Sequence, residues 1–137
     1  MIRPFHLAIL VSSLESTREF YVGVLGCTEG RSAERWVDFD LFGHQLSCHL
    51  GSPRGDVGQN PVDGDDVPIP HFGVILEWAD WELLRNRLMR SDVDFVIPPR
   101  IRFEGEPGEQ GTLFFRDPSG NALEFKGFRS DQSIFRR

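Results

Sequence analysis

Two histidines stand at the mouths of two similar apolar runs: His6 in PFHLAILV at 4–11 and His71 in PHFGVILEW at 70–78. A third residue able to do chemistry, Glu124, lies in NALEFKGF near the C-terminal end. Successive side chains of a strand point to opposite faces. Phe5, Leu7, Ile9 and Val11 make the apolar face of the first run, Phe72, Val74, Leu76 and Trp78 that of the second, and Leu123 and Phe125 that of the last. In each run the parity puts the histidine or the glutamate on the other face. Two imidazoles and a carboxylate on one concave surface form a ligand set for a divalent metal. A single histidine at a strand end is usually a polar residue at a rim, and a glutamate between two apolar neighbours usually faces solvent. Two histidines at equivalent places in two similar stretches favour the metal reading over those plain ones.

The elements that must position these residues repeat. After the first run, SSLESTREFYVGVLG has capping-box spacing at Ser12 and Glu15, helical spacing of Leu14, Tyr21, Val24 and Leu25, and a stop at Gly26. WVDFDLF and HQLSCHL then alternate as strands, the second with Gln45, Ser47 and His49 on one face. Residues 51–69 carry glycine, proline and acid without a period and read as a linker or loop. After that the grammar restarts. A strand follows, then a helix over DWELLRNRLMRSDV capped by Asp80. DFVIPPRIRF has strand character interrupted by Pro98 and Pro99, and GTLFF is a strand. DPSG is a turn, and NALEFKGF is the last strand. This is an internal repeat of a βαβββ unit. The expected fold is α+β, one domain of 137 residues. It has module 1 over about 4–50, the linker, module 2 over about 70–128 and a polar tail at 129–137. Mixed sheets would curve around one cleft.

Composition narrows the partners. The net charge of −6 argues against nucleic acid. No apolar run is long enough to span a membrane. Two cysteines are too few for a disulfide framework, and the N-terminal residues lack a signal-peptide pattern, so a cytoplasmic protein is expected.

With those residues in view, the sequence resembles the vicinal oxygen chelate superfamily: glyoxalases, extradiol ring-cleavage dioxygenases, and bleomycin- and fosfomycin-resistance proteins. The matching stretches are FHLAILVSSLESTREFYVGVLG, HFGVILE and GTLFFRDPSGNALEF, spanning about 4–128. The DPSGN turn leading into a strand with its glutamate is the most specific of them. Within the superfamily the chain is most similar to small proteins related to extradiol dioxygenases.

The resemblance implies the glyoxalase/extradiol dioxygenase fold, a homodimer and a small-molecule substrate. It carries metal ligation onto His6, His71 and Glu124. Aligning Gly43 with Gly120 sets Ser47 opposite Glu124, and serine is a poor ligand for a divalent metal. That favours a three-ligand facial triad with open positions, the non-haem Fe(II) arrangement, with Mn, Zn or Ni as other metals. His49, two residues past Ser47, is an acid–base group in this reading or a fourth ligand if the register slides by two. Trp36, Gln45, Ser47, Phe103 and Lys126 are the expected pocket residues. Extradiol enzymes carry a tyrosine near the metal shortly before the glutamate; this chain has Leu113, Phe114 and Phe115 there. The expected function is a metal-dependent oxidoreductase, an extradiol-type dioxygenase acting on a small catechol-like compound. The alternatives are a glyoxalase-like isomerase or lyase with a redox-inert metal, and a binding or resistance protein without chemistry.

Overall fold

The computed structural model describes residues 2–137, which fold as two compact units. The first comprises the chain up to Gly55 together with Asp117–Gly120; the second comprises Asp56–Arg116 and Asn121–Arg137. Each is a mixed sheet with a helix on one face.

In the first unit β1 (His6–Val11) is followed by α1 (Leu14–Arg18), a π-helical stretch at Glu19–Val24, β2 (Thr28–Ala33), β3 (Trp36–Leu41) and β4 (His44–Leu50). The sheet order is β1-β4-β3-β2, with β1 parallel to β4 and the other pairs antiparallel. Ser13, not Ser12, caps α1: its hydroxyl accepts from the Ser16 amide at 3.2 Å. Ser12 instead bonds the Ser119 hydroxyl through its amide at 3.0 Å. The helical segment ends at Gly26, whose φ of 78° places it in the left-handed region where a side chain is costly. The apolar parity holds from Leu7 to Val11, but Phe5 precedes the strand and is 65% exposed.

The core of this unit packs Val11, Val37, Phe39, Leu46 and Cys48 against Phe20, Tyr21 and Leu25. The Tyr21 ring stacks on Phe39 at 5.3 Å, and its hydroxyl donates to Asp117 Oδ2 at 2.9 Å. Asp117 Oδ1 accepts from the Ser119 amide, so the DPSG turn is fastened here by its aspartate. Burial pushes the Tyr21 hydroxyl pKa well above its ordinary 10.0, and the Asp117 charge adds to this. Neither cysteine forms a disulfide and both are buried; burial pushes the Cys48 thiol up to about 12, with Asp117 and Asp38 reinforcing it.

The second unit runs β5 (Gly58–Val62), β6 (Asp65–Ile69), β7 (Ile75–Glu77), α2 (Trp78–Met89), β8 (Asp94–Arg102), β9 (Gln110–Arg116) and β10 (Ala122–Phe128). Its main sheet is ordered β7-β10-β9-β8, with β7 parallel to β10. First strand beside last, then third, then second: this is the order of the first unit, so the βαβββ repeat is a repeat of topology. Helix α2 buries Trp81, Leu84 and Leu88. Trp81 lies so close to β10 that a Cβ added to Gly127 would stand 2.6 Å from it, and its indole N–H donates to the Phe125 carbonyl at 3.1 Å.

Four local readings change. Residues 58–69, expected as linker, pair as the antiparallel hairpin β5–β6, from Gly58↔Ile69 to Val62↔Asp65. Trp78 opens α2 rather than ending a strand, with Glu77 at the N-cap and Asp80 inside the first turn. β8 runs through Pro98 and Pro99, because it is an edge strand whose register shifts past them. In the tail, Asp131–Ser133 form a 3-10 turn capped by Ser130. No helix among the described residues is long and apolar enough to cross a membrane.

Candidate metal centre

The uncovered face of the second sheet carries His71 and Glu124 side by side. Phe72 bridges Leu123 in parallel register, so His71 stands beside Ala122 and Gly73 beside Glu124. A Cβ on Gly73 would come within 1.7 Å of the Glu124 carbonyl oxygen; glycine here lets the two chain segments meet. His71 Nδ1 lies 2.7 Å from the Pro68 carbonyl oxygen, and a carbonyl only accepts. Nδ1 therefore carries a proton, and Nε2 is presented to Glu124 Oε1 at 3.4 Å. The ring packs edge-on against Phe114 at 4.8 Å. Glu124 Oε2 accepts from the fully buried Thr112 hydroxyl at 2.5 Å.

The electrostatics follow from those contacts. Burial alone would raise the Glu124 carboxyl; the hydrogen bonds from His71 and Thr112, with the nearby Lys126 charge, outweigh it and hold the pKa below its ordinary value. The hydrogen bond to Glu124 raises His71 against the opposing effect of its own burial. An imidazole nitrogen and a carboxylate oxygen facing each other at this distance can share a cation, either a proton or a metal ion. Beside them is a cavity of about 260 Å³ lined by residues 71–75, Glu124 and Lys126.

The hairpin walls one side of the same face. Val67 packs with Ile97, Phe114 and Ala122, and Val62 and Ile69 lie against that cluster. Arg100 ties the hairpin tip to β8 through Asp63 at 2.8 Å and Asp65 at 3.0 Å, and Arg102 donates to the Val62 carbonyl at 2.8 Å. Pro68, which orients His71, belongs to this docked hairpin. A stretch with no sequence period thus supplies the hydrogen-bond acceptor that sets the tautomer of His71.

In the first unit, His6 is exposed on the uncovered face of β1, next to Gln45 in the parallel pair. Its Nδ1 lies 2.9 Å from Gln45 Oε1, so the amide oxygen plays the part that the Pro68 carbonyl plays for His71 and leaves Nε2 outward. Ser47 is buried and its hydroxyl donates to Asp38 Oδ1 at 2.5 Å. His49 is exposed on the same face, paired in register with Trp36, their rings 6.5 Å apart. His44 accepts from the Phe5 amide at 2.9 Å, a structural contact.

The two registers can be superposed on each other. His6 pairs with Gln45, and two residues along the last strand comes Ser47; His71 stands beside Ala122, and two residues along comes Glu124. Two further along lie His49 in one unit and Lys126 in the other. The alignment of Gly43 with Gly120 is thus reproduced by strand pairing. His71, Glu124 and Lys126 are brought together in the second unit; His6, Gln45, Ser47, His49 and Trp36 share a face in the first. Phe103 is half-buried just past β8, with a φ of 53°. No group of three or more His, Cys, Asp or Glu side chains that could hold a metal ion is formed among the described residues. Thr112, Pro68 and Asp38 escaped the sequence reading. Only the cross-strand register reveals Thr112 and Asp38, and only the hairpin reveals Pro68.

The sequence matches the family model described as Glyoxalase/Bleomycin resistance protein/Dioxygenase superfamily over residues 3–125. Among solved structures, the chain is similar to a glyoxalase/bleomycin resistance protein/dioxygenase from Alicyclobacillus acidocaldarius, at 33% identity over 96% of both chains with a TM-score of 0.82. The fold is also that of a fosfomycin resistance protein, FosX, from Listeria monocytogenes, at 18% identity over 97% of this chain and 98% of that one, TM-score 0.68. A lactoylglutathione lyase from Agrobacterium tumefaciens matches at 18% identity over 91% and 92%, TM-score 0.64.

Proposed function

The chain belongs to the Glyoxalase/Bleomycin resistance protein/Dioxygenase superfamily, and from that premise we propose that it is a metal-dependent oxidoreductase, an extradiol-type dioxygenase acting on a small vicinal-oxygen compound such as a catechol. The proposed ligands are His6, His71 and Glu124. Nε2 of His71 and Oε1 of Glu124 are 3.4 Å apart. Two ligands at bond lengths of about 2.0–2.2 Å, set roughly 90–110° apart, span about 3–3.5 Å, so the pair fits a metal ion. Each histidine has its Nδ1 engaged by a carbonyl-type oxygen, the outer hydrogen bond that fixes a ligand imidazole.

The observation that carries the reading is Ser47. It occupies the place in the first unit that Glu124 occupies in the second, and its hydroxyl is engaged by Asp38. In this reading the protein set would stop at three, which would leave room for two substrate oxygens. A divalent metal held there, Fe(II) in this proposal, supplies Lewis acidity to those oxygens and redox access to dioxygen. The protein's part is positional. Thr112 and Pro68 hold Glu124 and His71, Phe114 and the hairpin keep water from one side, and His49 moves a proton to or from the bound substrate. We place the enzyme in the cytoplasm as a homodimer; light scattering that gives a monomer at micromolar concentration contradicts the dimer.

His49 supports a second reading. Two residues past Ser47 on the same face, it is able to serve as a fourth ligand, which fits a glyoxalase-like isomerase or lyase with a redox-inert metal. Anaerobic reconstitution with Fe(II) or Zn(II), followed by a diphenol panel and an oxygen electrode, separates the two. Oxygen uptake with Fe(II) alone is expected. Absence of uptake across the panel, with Zn(II)-dependent turnover that ignores dioxygen, overturns the dioxygenase.

A further inference from the structure

Most of the positive charge on the uncovered face of the second sheet is neutralised locally. Arg116 makes a two-point contact with Asp56 at 3.0 Å for each bond. Arg100 is held by Asp63 and Asp65, and Arg102 by the Val62 carbonyl with Asp65 3.5 Å away. Lys126 differs. It is half-buried on β10, two residues past Glu124, and lines the cavity that His71 and Glu124 share. Its register partner on β9 is Thr112, whose hydroxyl is given to Glu124; on the other side stands Ile75, which offers no acceptor side chain. Among the described residues no hydrogen bond or ion pair engages its ammonium, although its charge is felt at both Glu124 and His71.

An ammonium held at a cavity wall without a counter-ion favours an anion in that cavity. Glu124 does not cancel it: without metal its two oxygens face the Thr112 hydroxyl and His71 Nε2 rather than Lys126, and with a divalent cation bound its charge would be taken up by the metal. The metal and Lys126 together then exceed the single carboxylate by two charges, and both histidines are neutral when they act as ligands. Two vicinal oxygens of a diphenol bring one negative charge on binding. A second negative group on the substrate balances the rest. We propose that Lys126 is the anion anchor of this pocket, so that the substrate is a small vicinal-oxygen compound bearing a carboxylate. This deepens the metal-dependent reading of the same site and rests on it for the vicinal oxygens, but not for the carboxylate.

Two ligand pairs test it on the full-length chain. Metal-loaded protein is titrated with 3,4-dihydroxybenzoate and with catechol, which differ by the carboxylate. Metal-free protein is titrated with benzoate and with benzyl alcohol, followed by the amide shifts of Gly73 and Val74. In wild type the carboxylate member of each pair binds about tenfold tighter or more. Lys126→Met removes that preference in both pairs while metal content stays at the wild-type level, and Lys126→Arg restores it. Equal affinity within each pair in wild type, or a preference that survives Lys126→Met, overturns the anchor and identifies Lys126 as a solvated surface residue. If the chain takes up no metal but the benzoate arm behaves as stated, the anchor stands and the metal reading falls. If metal and catechol bind but the carboxylate adds nothing, the reverse holds.

Discussion

Replacing Thr112 with valine keeps the shape of a fully buried side chain and removes only its hydroxyl. That hydroxyl donates to Glu124 Oε2 at 2.5 Å, a short bond to an ionised acceptor in a site closed to water on that side. Hydrogen bonds to charged groups contribute about 1.5–3 kcal/mol. Loss of an outer hydrogen bond to a ligand commonly weakens metal binding by about 10–100-fold, which is about 1.4–2.7 kcal/mol and agrees with that figure. Thr112→Val should therefore raise the dissociation constant of the metal by about 10–100-fold, with the fold intact. Thr112→Ser, which keeps the hydroxyl, should stay within about threefold of wild type. Competition against a chromophoric chelator measures both, and far-ultraviolet circular dichroism checks the fold. Metal affinity of Thr112→Val within about twofold of wild type, while Glu124→Gln loses the metal, would show that Thr112 does not orient the carboxylate.

Two further outcomes are expected. His49→Gln should keep metal near the wild-type level while turnover falls by roughly 10²–10⁴-fold; metal loss matching that of His71→Ala would make His49 a ligand and favour the isomerase or lyase. Tyr21 is the chain's single tyrosine, and burial beside Asp117 raises its pKa above 10.0. The folded state favours the neutral phenol, so its contribution to stability is complete below pH 10 and is lost as pH rises from there towards the folded-state value. The phenolate absorbance near 295 nm should appear together with alkaline unfolding, and a titration near pH 10 in folded protein contradicts the buried hydrogen bond.

The topology was legible where side chains alternate strongly. FHLAILV and HFGVILE point to strands with a histidine opposite their apolar residues; in the second only Ile75–Glu77 pair as a strand and Phe72 makes a single bridge, so His71 stands ahead of β7. The repeat of helix and strands after each still makes two βαβββ units the natural fold. The hairpin β5–β6 was not legible, because GQNPV and DDVPI are short and each carries a proline. Its apolar contacts with the body of the unit come from Val62, Val67 and Ile69, too few to set a period. Asp80 resembled a helix cap because it precedes the leucine spacing. The helix instead opens at Trp78 with Glu77 at the N-cap, three residues ahead of Asp80. The proposed ligands could be picked out by parity, since parity is a property of one strand. Thr112, Asp38 and Pro68 could not, since each acts across a pairing whose register no single strand contains.

In the proposed site His6, His71 and Glu124 together hold one divalent metal ion. Elemental analysis of purified wild type, His6→Ala, His71→Ala and Glu124→Ala, each reconstituted anaerobically with Fe(II) and freed of excess metal, tests it most directly. Close to one metal ion per wild-type chain is expected, with near-complete loss in each of the three variants and circular dichroism unchanged. Wild-type metal content in His6→Ala, or in either of the other two, contradicts it.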